Sequence, residues 1–211
     1  MANMSYLCVT NAKTIYPSWP PRRFDLDRQT VACAVYSVPL LWTALFRSAD
    51  IERKKFTLDG VKIVTEAPLA TRKQAIRQLD EAVPYFNRLF RREGPLDEHA
   101  GFLRQALEGL EYRYVTIELH EIAIMFNTLQ EYYDIFRVAL HGISDDLSRA
   151  AWSRFKWHVA GFRKLKKFPP ARLVLDGLES TADSDCANLS RILGDGAQST
   201  GFGRPVPWEP G

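Results

Sequence analysis

Apolar positions alternate or come in short blocks over the first third of the chain, and from residue 68 onward they recur every third or fourth residue. A period of two describes a strand with one covered face, and a period near 3.6 describes an amphipathic helix. Residues 5–10 (Ser-Tyr-Leu-Cys-Val-Thr) and 31–36 read as short strands, rich in β-branched and aromatic side chains. A loop through Tyr16, Pro17, Trp19, Pro20 and Pro21 separates them. It is stiff, because each proline fixes its own φ. Ser37-Val38-Pro39 resembles a cap and first-turn proline, opening a helix to Arg47 with Leu40, Leu41, Ala44 and Leu45 on one face. The sharpest local signal is a hairpin over residues 55–65. Asp59-Gly60 supplies the two-residue turn, and Phe56, Leu58, Val61 and Ile63 are candidates for burial.

After residue 68 the spacing predicts helices. Ala75, Leu79, Val83, Phe86 and Phe90 form one stripe, with Pro84 allowing a bend, and Gly94-Pro95 ends it. A second helix over 96–110 turns Phe102, Leu103, Ala106 and Leu110 inward. A long third helix is expected over 113–140, with Val115, Leu119, Ile122, Phe126, Leu129, Tyr133, Phe136 and Leu140 as its stripe and His141-Gly142 as its end. Ser144-Asp145-Asp146 caps a fourth helix to about residue 167, with Leu147, Ala151, Phe155, Phe162 and Leu165 inside. Phe168-Pro169-Pro170 stops it, and 171–179 has room for one more short helix. From Ser180 the composition shifts to Ser, Asp, Gly and Thr, with Phe202 and Trp208 among prolines. The expected architecture is therefore α+β but mostly α. It is a helical bundle with a small antiparallel β element near 55–65, as one domain over 1–179 and a poorly packed or docked tail over 180–211.

Composition narrows the class. At 211 residues, 46% hydrophobic and 25% charged, the chain has the makeup of an ordinary globular domain. The net charge of +3 by itself implies neither nucleic acid nor membrane. Cys8, Cys33 and Cys186 are far apart and odd in number, which fits a reducing compartment. The start shows no basic stretch leading into an apolar run, so a cytoplasmic location is expected. The uncharged stretch 29–46 just reaches membrane-spanning length, but Gln29, Ser37, Pro39 and Thr43 dilute it. It reads better as a strand followed by a helix.

Three groups of residues could carry chemistry. Glu118, His120 and Glu121 cluster within four positions of the predicted third helix. They could serve as metal ligands or an acid–base pair, but neither the His i, i+4 nor the Glu/His i, i+3 spacing of helical metal motifs occurs. A solvated charged face of an amphipathic helix is the better explanation of them. Cys8 and Cys33 fall on predicted strands, where a free thiol behaves as a small hydrophobe, and no activating histidine is near in sequence. His141, at a predicted helix C-terminus, suits the dipole there. No phosphate-loop, dinucleotide, nucleophile-elbow or HExxH motif occurs. The third group is the basic helix over 147–172. It carries Arg149, Arg154, Lys156, Arg163, Lys164, Lys166, Lys167 and Arg172 without an acidic residue, interleaved with Trp152, Trp157 and His158. Such a surface suits phosphate, an acidic protein partner, or simply the helix dipole.

The opening Met1-Ala2-Asn3-Met4-Ser5-Tyr6-Leu7 resembles the MANxSYL start of a family of uncharacterised bacterial proteins. The run Arg113-Tyr114 through Glu118-Leu119 is similar to that family's tyrosine-rich segment. The likeness extends over residues 1–140. Small bacterial proteins of this type stand beside polymorphic toxins. The resemblance therefore implies an immunity protein that binds a cognate toxin domain and covers its active site, with no enzyme activity, cofactor or metal. An acidic surface usually caps a nuclease, so this mildly basic chain points away from a nuclease toxin. Aromatic and arginine anchors dominate protein interfaces, which selects Trp152, Arg154, Lys156, Trp157, Arg163 and Lys164 on the basic helix. Tyr16 and Trp19 in the stiff loop come next. Two alternatives stay open: a nucleic-acid-binding module using the basic helix 147–172, and a small metal-dependent enzyme using Glu118, His120 and Glu121.

Overall fold

The computed structural model describes residues 3–15, 28–58, 60–90, 96–144 and 190–196. Their centre is a six-stranded sheet in the order β3-β4-β5-β1-β2-β6, in which every neighbouring pair is antiparallel. The strands are β1 (Met4–Thr10), β2 (Arg28–Val35), β3 (Ile51–Leu58), β4 (Val61–Thr71), β5 (Tyr114–Glu118) and β6 (Asp195–Gly196). The helices are α1 (Leu40–Ala44), a 3-10 turn (Ser48–Asp50), α2 (Arg72–Phe90), α3 (Asp97–Glu108), α4 (His120–Ala123), α5 (Leu129–Ser144) and α6 (Ser190–Leu193). No helix among the described residues is long and apolar enough to cross a membrane.

The described helices pack on one face of the sheet. Leu7, Val9, Val31, Ala32, Ala34, Val115 and Ile117 point into a single core with Leu41, Trp42 and Phe46. Leu79 and Phe86 of α2, Leu103 and Leu107 of α3, and Tyr132 and Phe136 of α5 join the same core. Each fully buried side chain of this size contributes about 1.5–3 kcal/mol of transfer free energy. The opposite face holds a smaller cluster of Ile15, Ala67, Leu69 and Tyr114. Alternation along each strand assigns Tyr6, Cys8, Thr116 and Glu118 to that second face. A register shift between Leu7 and Cys8 leaves Val31 opposite neither, and the pairing resumes at Cys8↔Thr30.

The helical bundle expected from the sequence is replaced by a sheet-rich α+β fold. The clearest correction lies in 113–140, which is not one long helix but β5, a turn, α4 and α5. All five residues of β5 are buried, because it lies between β1 and β4 with side chains covered on both faces. Val115-Thr-Ile-Glu-Leu119 alternates apolar and polar as a strand does, but Val115, Leu119 and Ile122 also fit a 3–4 spacing. The helical spacing that continues from Ile122 masked the strand. Similarly, the helical region begins at Arg72 rather than residue 68, since β4 runs on to Thr71 to reach β5. The hairpin and its register stand, with Leu58 opposite Val61 and Gly60 at φ +81°. Its expected buried face does not: Val61 is 62% exposed and Phe56 and Ile63 are only half-buried, because the hairpin tip has no described element packed over it. The stripe of α2 also stands, with Ala75, Leu79, Val83 and Phe86 buried and Pro84 inside the helix.

The C-terminal region contributes a docked piece. Ile192 and Leu193 of α6 enter the core, and β6 extends the sheet by pairing Ala32↔Gly196 and Cys33↔Asp195. The fourth helix expected near 144–167, the proline-rich loop from Tyr16 on, and the rest of the tail lie outside the described residues.

Candidate functional site

The Glu118, His120 and Glu121 group sits where β5 leaves the sheet and α4 begins. Glu118 is the last strand residue, directly opposite Tyr6 of β1. Its side chain is only 6% exposed and forms an ion pair with Arg28. Leu119 then turns the chain into α4. Glu121 reaches back across the sheet end, where its Oε2 accepts the Met4 backbone N–H at 2.9 Å. His120 is half-buried, and its Nδ1 has no hydrogen-bond partner among the described residues. Burial lowers its pKa, since the charged imidazolium loses solvation.

Around them the second sheet face is tight and polar. Burial first, then the Glu121 carboxylate, pushes the Tyr6 phenol up to about 12. Burial likewise raises the Cys8 thiol, with Arg28 partly opposing it. A raised thiol holds little thiolate at neutral pH, so Cys8 is a poor nucleophile. Glu118 pairs with Arg28, and Glu121 accepts from a backbone amide through Oε2. Among the described residues, no group of three or more His, Cys, Asp or Glu side chains could hold a metal ion.

A second ionic cluster went unnoticed in the sequence. Glu66 on β4 is 2% exposed, paired to Arg137 of α5 and lying 3.5 Å from Arg53 Nε on β3. Arg137 also holds Asp134 at 2.8 Å. Next to it, the Thr65 and Tyr133 hydroxyls share a 3.4 Å hydrogen bond. Together these contacts pin α5 to the base of the β3–β4 hairpin. Counting back from the Asp59-Gly60 turn would have placed Arg53 opposite Glu66, and that register is the one formed.

Beyond that base the hairpin is an arm. β4 pairs with β5 only through Leu69, Ala70 and Thr71, so residues 61–68 pair with β3 alone. Among the described residues β3 is an edge of the sheet, and it carries Arg53, Lys54 and Lys55 in succession, while Lys62 sits opposite Thr57. Arg53 is 55% exposed, and Lys55, Thr57 and Lys62 are exposed.

The anchors selected from the sequence (Tyr16, Trp19, Trp152, Arg154, Lys156, Trp157, Arg163 and Lys164) all lie outside the described residues, as does the basic helix 147–172. The class defined by the fold is a sheet-rich, antiparallel α+β protein whose described helices lie on one side of the sheet. Comparison with protein-family models, with curated proteins and with solved structures yields no match.

Proposed function

We propose that this protein acts by binding another protein, as an immunity protein that covers the active site of a cognate toxin. The carrying observation is how its ionisable groups are used. Glu118 and Glu121, the best acid–base candidates, are taken up by Arg28 and by the Met4 amide. Exposed charge is presented instead on a projecting hairpin built on a packed scaffold. A binder needs this arrangement: a rigid body and a complementary surface. On this reading no cofactor takes part and the partner is a toxin domain acting in the cytoplasm, with the anchors Trp152, Arg154, Lys156, Trp157, Arg163, Lys164, Tyr16 and Trp19 as contact residues.

Co-expression with the toxin encoded by the adjacent open reading frame tests this. Wild type should restore growth and form a one-to-one complex, and Trp157→Ala should weaken it. Absence of both rescue and complex sinks the immunity reading. Equal binding by Trp157→Ala removes that anchor and leaves the function standing.

A further inference from the structure

We propose that the outer edge of β3, around Arg53, Lys54 and Lys55, takes up an extended acidic segment of the partner protein as an added antiparallel or parallel strand. This rests on the reading that the ligand is a protein, and it names the surface and the chemistry of what docks there.

Three observations carry it. First, β3 ends the sheet, and among the described residues nothing pairs with its outer side. An edge strand offers a row of backbone N–H and C=O groups that a second extended chain can satisfy. Second, the edge is tied at both ends. The arm is closed by the Leu58↔Val61 turn at one end, and the Glu66–Arg137 and Thr65–Tyr133 contacts tie it to α5 at the other. A pre-ordered edge lowers the ordering cost of binding. Third, the edge carries a net positive charge, since Lys54, Lys55 and Lys62 outnumber Glu52 and Arg53 already faces Glu66. Consecutive strand residues point to opposite faces, so Arg53, Lys54 and Lys55 put positive charge on both faces of the edge. Lys62, across from Thr57, adds to the face that Arg53 and Lys55 share. Glutamate or aspartate at alternate positions of an incoming strand would meet these cations directly, where opposite charges stabilise a cross-strand pair.

The same charges disfavour a second copy of this chain as the occupant. Two β3 edges side by side would set Arg53 and Lys54 against their own kind, and like charges directly opposed destabilise a ladder. Nucleic acid fits less well than an acidic peptide: the arm's one aromatic among the described residues, Phe56, is half-buried rather than offered for base stacking.

The probe is a fluorescent peptide of about seven residues alternating Glu and Val, the length of an ordinary strand. It is compared with a Lys/Val peptide, with the Glu/Val peptide N-methylated at alternate residues, and with oligothymidylate. Binding is read by anisotropy, and amide exchange of β3 is followed alongside. The Glu/Val peptide should bind and slow exchange at β3, while the Lys/Val and N-methylated peptides should not. Lys54→Glu with Lys55→Glu should weaken binding about tenfold, the scale of a local charge reversal at an interface. The double glutamine variant at the same two positions should fall between. No binding of the Glu/Val peptide overturns the proposal. Undiminished binding of the N-methylated peptide also overturns it, because charge without strand addition would then suffice. Tighter binding of oligothymidylate overturns it in favour of a nucleic-acid surface. The adjacent toxin separates this inference from the function. If wild type binds the toxin and the double glutamate variant binds it equally, the edge is wrong and the immunity reading stands. If the peptide binds at β3 and the toxin does not bind at all, the edge stands and the immunity reading falls.

Discussion

The indole Nε1–H of Trp42 donates a 2.7 Å hydrogen bond to the carbonyl oxygen of Leu193, 151 residues further along the chain. Both ends are buried, Trp42 at 0% and Leu193 at 2% exposure. The bond satisfies the one polar atom of the largest side chain in the core, and it fixes α6 against α1. Immediately after it, Gly194 turns the chain into β6 with φ +83°.

Gly194→Ala tests this junction. A Cβ there would lie 2.5 Å from Trp42 Cζ2 and 2.8 Å from the Cys33 carbonyl, at a φ that side chains rarely adopt. Neither neighbour is the loose end of a flexible side chain. The substitution should destabilise the protein by about 1–3 kcal/mol, the usual cost of overpacking. Urea denaturation of the two proteins measures it. An unchanged midpoint would mean that α6 and β6 do not hold their place on the core.

Arg137→Ala should also destabilise. It removes the helix-side partner of a carboxylate that is 2% exposed, leaving Glu66 with Arg53 alone at 3.5 Å. Breaking a fully buried pair costs about 3–5 kcal/mol; because Arg137 is 36% exposed and partly screened, about 1–3 kcal/mol is expected. Glu66→Gln with Arg137→Ala should lose less than the sum of the single changes, since the orphaned charge disappears. A double-mutant cycle in thermal melts reads this coupling, and strict additivity would refute it.

His120 should make folding stability depend on pH. Burial holds its pKa below the ordinary 6.5. The unfolded chain therefore binds the proton more readily, and stability rises with pH through that interval. The contribution is complete above 6.5 and is lost as the pH falls below it. Denaturant midpoints of wild type should decline from pH 6.5 towards about pH 5, where carboxylates begin to titrate. His120→Gln should flatten that decline. Parallel slopes for both proteins would show that the imidazole is as solvated in the folded state as in the unfolded one.

By itself the sequence determined what rests on short-range geometry. Asp59-Gly60 set the hairpin turn, and its two-residue length set every pair down to Ile51↔Pro68. The 3–4 spacing of Ala75, Leu79, Val83 and Phe86 set α2 and its buried side, because one face of a helix must meet the core. Tertiary structure decided whatever depends on being covered from two sides. Val115-Thr-Ile-Glu118 alternates as a strand does, yet Val115, Leu119 and Ile122 fit a helical spacing equally, and its place between β1 and β4 decided for the strand. The Glu118, His120 and Glu121 group shares this origin. On a helix it would be a charged face in water; at a strand end it is drawn to Arg28 and Met4, partners 90 or more residues away in sequence. Such contacts arise from loop closures that no local pattern encodes. So do Trp42 on Leu193 and Glu66 on Arg137, and these long-range contacts fix which charges stay inside the fold and which remain on the β3 edge.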